Sequence, residues 1–468
     1  MKRTFHISIL LCLAVITMLL VASCNGEAKT PETETTPFVC EHNYVANFVA
    51  PTAKEDGYTK HTCSGCGDWY STDPITPKNF KIKDKNREKI GYTGQEGENL
   101  VIPAVFQEDG TWYRVVSIES FAFGLTNLQG VTIPDSVTAI GSAAFYDCKN
   151  LTSVTFGDSV TTILESAFSG CSALKEVMLP NSLTKIDSSA FSSSGLTSIT
   201  IPNSVSEIGL CAFMGCIDLK SVTLPDSLTV LEDGMFGGCS SLANITIPSS
   251  VTEIKNAAFS GCSQLTDITI PGSVTIIQER AFGDCKGLKN VTLLKGLATI
   301  GKNTFEGCTN LGSVSFPETV KIIEDYAFYG CTRLTAIDFG HAATTIGEYA
   351  FSNCTLLKDV TLGKQVTSIG AYAFSGCTNL TDVAIGNSVN VIGEYAFVDC
   401  GNLANVKIGV NVKEIGDFAF RHCYKLTSIT YNGTKMKWAG IERTPDWDAH
   451  TGSYTVYCTD GSMLKAPQ

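Results

Sequence analysis

The sequence predicts a β-rich solenoid of stacked parallel strands, and the first observation behind this is a leucine that recurs along the chain. Successive members of this leucine column are 23 residues apart, apart from one step of 22. A fixed period in the twenties is typical of a solenoid in which each repeat forms one coil. The members are Leu128, Leu151, Leu174, Leu196, Leu219, Leu242, Leu265, Leu288, Leu311, Leu334, Leu357, Leu380, Leu403 and Leu426.

Each repeat also alternates apolar and polar residues over a short run. In the repeat that starts at Leu151, Val154 and Phe156 are predicted to point inward from a strand. Ser153 and Thr155 then point outward. The pattern L-x-x-V-x-I at the head of a 23-residue repeat is the signature of a leucine-rich repeat. Because one coil cannot bury its apolar edge alone, neighbouring coils must stack, with their strands about 4.8 Å apart.

A phenylalanine such as Phe168 closes each repeat, and the residue two positions after it is usually Gly, Asn or Asp. These residue types tolerate a left-handed backbone, so we predict a turn with positive φ there. The residues at this position include Gly170, Gly215, Gly238, Gly261, Gly307, Gly330, Gly376, Asp147, Asp284, Asn353 and Asp399.

Twelve of the 19 cysteines occupy one position, three residues after that phenylalanine. A position repeated in every coil predicts an interior column of buried, reduced thiols, since free cysteine is among the most buried residue types. Disulfides between neighbouring coils are the alternative, but parallel side chains give poor dihedral geometry. Cys211 lies two residues before Phe213 and is predicted to be an exposed thiol. The column is Cys148, Cys171, Cys216, Cys239, Cys262, Cys285, Cys308, Cys331, Cys354, Cys377, Cys400 and Cys423.

The full pattern, L-x-x-V-x-I-P-x-S-V-x-x-I-x-x-x-A-F-x-G-C, resembles the BspA-like leucine-rich repeats of bacterial and protozoan surface proteins over about residues 98–430. The tail, with "ITYNGTKMKW", is similar to that family's C-terminal cap. We therefore expect a solenoid over residues 79–430 and a cap over 431–468. The resemblance implies adhesion or ligand binding at a cell surface, without catalysis.

Residues 1–23 have the features of a secretory signal peptide: Lys2 and Arg3, an apolar run, and small residues at the end. The sequence Val-Ala-Ser-Cys ending at Cys24 matches a bacterial lipobox, so Cys24 is the expected lipidation site. A permanent membrane helix is the weaker alternative, because polar residues follow at once. Residues 24–37 are predicted to be a flexible tether. We expect an exported protein, lipid-anchored to the outer membrane and surface-facing, with a periplasmic orientation as the alternative.

Residues 38–78 contain a second set of cysteines, separate from the column. Cys40, His42, Cys63 and Cys66 form C-x-H followed by C-x-x-C, a set suited to one structural zinc ion in a zinc-ribbon-like module. The alternative is a disulfide, Cys63–Cys66 or Cys40–Cys63. Either arrangement would cross-link and so stabilise this segment, which is too short to build a large core.

Composition and motifs argue against several classes of function. With 34 Lys and Arg against 46 Asp and Glu, the net charge is −12, spread without runs, so nucleic acid is not an expected partner. His341, His422 and His450 stand without a neighbouring nucleophile motif, and the chain contains no phosphate-binding glycine loop. An enzyme is therefore not expected.

The position two before the repeat phenylalanine is aromatic in five consecutive C-terminal repeats, whereas the earlier repeats hold mainly small residues there. Such aromatics, with acidic neighbours, could anchor a host or bacterial surface protein, or stack on a glycan. Packing between neighbouring coils is the simpler alternative, and a purely structural spacer is the third function considered. A stripe of outward threonines is attributed to strand propensity. The five candidates for ligand binding are Tyr326, Tyr349, Tyr372, Tyr395 and Phe418.

Overall fold

The computed structural model describes residues 99–108 and 111–465, although not the side chains of 105–114. It also describes the backbone of five earlier strands. These are β1 (Tyr44–Val49), β2 (Tyr58–Cys63), β3 (Trp69–Ser71), β4 (Phe80–Ile82) and β5 (Lys89–Tyr92). The chain divides into two units, Met1–Leu196 with Glu207–Phe213, and Thr197–Ser206 with Met214–Gln468.

The strands from residue 99 onward are short, and most have two to four residues. As far as residue 208 they are β6 (Asn99–Val101), β7 (Val105–Glu108), β8 (Thr111–Arg114), β9 (Ser117–Ile118), β10 (Gly130–Thr132), β11 (Ala139–Ile140), β12 (Ser153–Thr155), β13 (Thr162–Ile163), β14 (Lys185–Ile186), β15 (Ser198–Thr200) and β16 (Glu207–Ile208).

The remaining elements are β17 (Ser221–Thr223), β18 (Val230–Leu231), β19 (Asn244–Ile245), β20 (Glu253–Ile254), β21 (Asp267–Ile270), β22 (Ile276–Ile277), β23 (Asn290–Leu293), β24 (Thr299–Ile300), β25 (Ser313–Ser315), β26 (Ile322–Ile323), β27 (Ala336–Asp338), β28 (Thr345–Ile346), β29 (Asp359–Thr361), β30 (Ser368–Ile369), β31 (Asp382–Ile385), β32 (Val391–Ile392), β33 (Asn405–Ile408), β34 (Glu414–Ile415), β35 (Ser428–Tyr431), helix α1 (Lys435–Ala439), β36 (Glu442–Arg443), β37 (Thr455–Cys458) and β38 (Gly461–Leu464).

In the first unit, alternate strands join two separate ladders. One ladder has the order β12-β10-β6 and the other β16-β14-β13-β11-β9-β5-β4. Both are parallel except at the antiparallel end pair, β4 and β5. Equivalent residues of neighbouring coils pair directly, as Val131 does with Val154 and Ile140 with Ile163. The unit also contains the antiparallel sheet β1-β2-β3 and the hairpin β7-β8.

The second unit repeats this arrangement over more coils. Its strands form three ladders. The first has the order β15-β17-β19, the second runs from β18 through the even-numbered strands to β36, and the third runs from β21 through the odd-numbered strands to β37 and then β38. Residues one repeat apart pair with each other, as Ile268 does with Val291. β37 and β38 are antiparallel, so a hairpin closes the last coil. The prediction of a β-rich leucine-rich repeat solenoid with stacked parallel strands is confirmed in each unit.

The core consists of the columns that the repeat predicts. The leucine, phenylalanine and cysteine columns are fully buried, as Leu357, Phe351 and Cys354 illustrate. The phenylalanine rings of neighbouring coils stack in nearly parallel planes, with centroids 5.1 Å apart for Phe328 and Phe351. Since a fully buried aromatic side chain stabilises a core by several kcal/mol, this column is a main source of each unit's stability.

The predicted burial of the cysteine column is confirmed. The Cys285 thiol, for example, donates a hydrogen bond to the backbone oxygen of Phe259 at 3.1 Å. Burial raises the pKa of Cys285 to about 12, so this side chain stays a neutral thiol near pH 7. The same thiol-to-carbonyl hydrogen bond recurs along the column, and it supports the prediction that these cysteines are reduced.

The prediction that Cys211 is exposed is wrong. Its side chain is only 7% exposed. Ser166 and Ser189 occupy the same repeat position and are also buried. A small side chain at this position therefore lies below the surface, whereas a larger one can reach solvent.

The predicted left-handed turn after the phenylalanine is confirmed, with φ of +77° at Gly170 and +61° at Asn353. The structure adds a second left-handed residue in each coil, two positions before the phenylalanine. Its φ is +54° at Ala143 and +57° at Ser166. Alanine and serine do not indicate a left-handed backbone, so residue type gave no signal for this second turn.

Past residue 431 the chain forms a short helix and three further strands. Thr434 caps α1 by accepting a hydrogen bond from the Lys437 amide, and Trp438 is buried. β36 and β37 each add one parallel strand to a ladder of the second unit. Within the part of the chain that the structure describes, no helix is long and apolar enough to cross a membrane.

Candidate binding surface

The five aromatic candidates form a regular stack, which we call the tyrosine ladder (Tyr326, Tyr349, Tyr372, Tyr395 and Phe418). Ring centroids are 4.6, 4.5 and 4.5 Å apart for the three tyrosine pairs, and the planes differ by at most 7°. The last pair, Tyr395 and Phe418, is 5.1 Å apart and tilted by 29°. The structure thus brings together all the side chains that the sequence proposed for ligand binding.

The backbone explains why the rings align. Every ladder residue has a left-handed backbone, with φ between +55° and +59°. The amide of Tyr349 donates to the backbone oxygen of Ala371 at 2.9 Å, and Tyr372 donates in the same way to Glu394 at 2.8 Å. These hydrogen bonds connect successive coils at the ladder position. They therefore set each ring at the spacing of the coils.

The rings are half-buried, and their faces cover one another. A spacing of 4.5 Å leaves no room for another ring between two tyrosines. The groups left for a partner are ring edges and hydroxyls. The ladder is thus a narrow amphipathic strip rather than a set of separate aromatic platforms.

Carboxylates flank four of the five rings, one residue earlier in the chain. Glu348 and Glu394 are exposed, whereas Asp325 and Asp417 are half-buried. Asp325 accepts a hydrogen bond from the Glu348 amide at 3.0 Å and forms an ion pair with Lys302 at 3.1 Å. The strip therefore combines aromatic edges with a row of negative charge.

The local environment raises the pKa of three ladder phenols, Tyr326, Tyr349 and Tyr372. Burial raises the pKa of Tyr326, and the Glu348 carboxylate raises it further. Burial also raises the pKa of Tyr372, with smaller contributions from the neighbouring phenols and from Glu394. A phenol with a raised pKa remains protonated at neutral pH, so the ladder can present hydroxyl groups as hydrogen-bond donors.

Sequence reasoning missed two aromatic residues related to the ladder. Tyr329 lies 5.6 Å from Tyr326, ring centre to ring centre, at the start of the stack. Phe121 occupies the ladder position of the first repeat, two residues before Phe123, and its φ is +59°. The sequence Phe-Ala-Phe at residues 121–123 could have identified Phe121, because it places an aromatic residue two positions before the repeat phenylalanine.

The other candidate site residues fall outside this surface. Cys24, Cys40, His42 and Cys66 lie outside the described residues, and of Cys63 only the backbone, at the end of β2, is described. Residues 99–108 and 111–465 contain no group of three or more His, Cys, Asp or Glu side chains that could hold a metal ion. His422 lies 2.7 Å from Asp399, nitrogen to oxygen, one repeat away.

The threonine stripe is exposed at Thr223 in β17, at Thr246 directly after β19, and at Thr269 in β21. Strand residues one repeat apart lie side by side there, for example Thr269 and Thr292. Exposed threonines in strands need no ligand to explain them, which agrees with strand propensity.

The stacked coils and the buried leucine, phenylalanine and cysteine columns define a leucine-rich repeat solenoid protein. The family model for the BspA type leucine rich repeat region matches residues 112–220, 206–335 and 321–438. These matches cover well over half of the chain, which therefore belongs to the BspA-type leucine-rich repeat family.

Two solved structures of bacterial leucine-rich repeat proteins resemble the chain. A leucine-rich repeat protein from Bacteroides ovatus is 27% identical, with a TM-score of 0.70 over 90% of this chain and 99% of that one. A leucine rich cell surface protein from Faecalibacterium prausnitzii is 29% identical, with a TM-score of 0.46 over 84% of this chain and 98% of that one. No curated protein matches the chain.

Proposed function

We propose that this protein is a non-enzymatic, surface-exposed lipoprotein that binds proteins of a host or of neighbouring cells through the tyrosine ladder. Membership of the BspA-type family supports a binding rather than a catalytic role. The family resemblance and the lipobox at Cys24 support export and anchoring. In this proposal, Cys40, His42, Cys63 and Cys66 bind one structural zinc ion.

The stacking of the ladder rings on one another favours a protein partner over a glycan. A sugar bound by stacking needs an open aromatic face, and the 4.5 Å spacing closes the inner faces of Tyr349, Tyr372 and Tyr395. At one end of the ladder, the guanidinium of Arg421 lies 5.1 Å from the centre of the Phe418 ring. Ring edges and hydroxyls are suited to the mixed polar and apolar surface of a protein.

A paired array experiment tests this proposal. The purified protein, without its signal segment, is applied to immobilised extracellular matrix proteins and, in parallel, to a glycan array. We expect saturable binding to one or more proteins and no binding to isolated glycans. Binding to glycans alone would contradict the proposal, and absence of binding to both surfaces would favour the structural spacer.

Replacement of Cys24 by alanine is expected to move the protein from the membrane fraction to the soluble fraction. The acyl chains on this residue would be its anchor, and stable attachment requires more than one chain. Immunoblots of fractionated cells measure the distribution. Cys12→Ala, a change within the signal segment that spares the lipobox, is the control and should remain in the membrane. A Cys24→Ala protein that stays membrane-bound would contradict lipidation at this site.

A further inference from the structure

The charges along the tyrosine ladder differ between its ends and its centre. At one end Lys302 pairs with Asp325, and at the other the guanidinium of Arg421 lies over the Phe418 ring. In the central coils, Glu348 and Glu394 are exposed. Among the described residues, none of the ion pairs includes either of these two carboxylates. The chain thus supplies cations at both ends of the strip and leaves the centre negative.

The central carboxylates are regularly placed. Glu348 and Glu394 are two repeats apart and flank Tyr372, whose own repeat has Ala371 at the equivalent position. Two coils correspond to about 10 Å at the spacing of paired strands. Two basic side chains a few residues apart on an extended segment can span that distance, because an extended chain advances about 3.3 Å per residue.

The shape of the strip also favours an extended segment. Each ring step is between 4.5 and 5.1 Å, so the whole ladder spans about 19 Å. That length matches about six residues of extended chain. Aliphatic stems of lysine or arginine can lie along the ring edges while their charged ends reach the carboxylates.

We infer that the tyrosine ladder binds an extended, lysine- or arginine-containing segment of a partner protein, with Glu348 and Glu394 receiving its basic side chains. This inference rests on the proposed protein-binding function and specifies the chemistry of the partner. A second copy of the chain does not fit, because like charges would then face each other across the contact. Nucleic acids and anionic lipid surfaces are repelled for the same reason.

The test uses a fluorescent peptide of about eight residues in which lysine alternates with threonine, and a matched peptide with glutamate in place of lysine. Fluorescence anisotropy with the full solenoid measures affinity at an ionic strength of about 0.05 M. The lysine peptide should bind and the glutamate peptide should not. Raising the salt concentration to about 0.5 M should weaken binding, because exposed charges are then screened.

Neutral variants locate the contact. Glu348→Gln combined with Glu394→Gln should weaken lysine-peptide binding about two- to thirty-fold, the range expected for the loss of two exposed ion pairs. The matched control is Asp359→Asn with Glu414→Gln, which removes the same charge from exposed strand residues. The control should bind as the wild type does. Failure of the wild type to bind the lysine peptide, or equal weakening in the control, overturns the inference.

The same variants separate this inference from the proposed function. If Glu348→Gln/Glu394→Gln retains wild-type binding to the matrix proteins while loss of the ladder tyrosines abolishes it, protein binding stands and the basic-segment inference is wrong. If the glutamate changes weaken both peptide and protein binding, both are supported. If the lysine peptide binds as inferred but the matrix proteins do not, only the proposed function fails.

Discussion

Replacement of Phe351 by alanine is expected to lower the free energy of unfolding by about 3–5 kcal/mol. The Phe351 side chain is fully buried, and its ring stacks on Phe328 at 5.1 Å and on Phe374 at 5.5 Å. It also meets Phe339 edge-on at 5.4 Å. Alanine would leave a cavity within the phenylalanine column and remove all three ring contacts. Because each coil of a solenoid depends on its neighbours, the loss would destabilise the adjoining coils as well.

Urea unfolding followed by circular dichroism measures this effect. Leu356→Ala is the matched control, since Leu356 belongs to the same repeat and is 44% exposed. The control should change stability by no more than about 0.5 kcal/mol. A Phe351→Ala protein that loses less than about 1 kcal/mol would show that the column is not a main source of stability.

The periodicity alone was sufficient to predict the fold, and the pairing register shows why. A repeat of 23 residues places chemically equivalent residues side by side, so Val291 pairs with Ile268 and Val314 with Val291. Inward residues must then form continuous apolar columns. Each local preference agrees with the same stacked arrangement, and such agreement makes a fold predictable from sequence.

The second left-handed turn could not be predicted in this way. A residue such as Tyr372 has no intrinsic preference for positive φ, and the conformation costs of the order of 1 kcal/mol per residue. Its amide donates to a carbonyl oxygen in the next coil, a contact between residues far apart in the chain. The backbone at this position is therefore set by stacking between coils. The error at Cys211 has the same origin, because the direction of its side chain follows from that turn.

The orientation of the ladder rings was the other feature that could not be predicted from the sequence. Five aromatics at one repeat position predict a ladder but do not show whether ring faces or ring edges meet solvent. Planes within 7° of each other and centroids 4.5 Å apart cover the faces. This geometry supports the proposal of a protein rather than a glycan partner, and it shows that the ladder contributes to packing between coils.

Changing Tyr349, Tyr372 and Tyr395 together to serine is expected to weaken binding to the protein partner by about 2 kcal/mol or more, the usual weight of aromatic anchors. The change removes both rings and hydroxyls from the centre of the strip. It also breaks all four stacked contacts of the ladder. Each half-buried aromatic pair contributes about 0.5 kcal/mol, the lower end of the usual range, so the free energy of unfolding should fall by about 2 kcal/mol. Serine itself fits the backbone, since Ser166 and Ser189 have φ of +57° at the same repeat position.

A second triple variant separates binding from packing. Phenylalanine at positions 349, 372 and 395 keeps the stacked rings but removes the hydroxyls, so its free energy of unfolding should remain close to that of the wild type. Its affinity should still fall, because the hydroxyls can no longer donate hydrogen bonds to the partner. Surface plasmon resonance against a captured matrix protein compares the two variants at a temperature where both are folded. If both bind as the wild type does, the ladder serves packing alone, and the binding site must be sought on the strand face around Thr246 and Thr269.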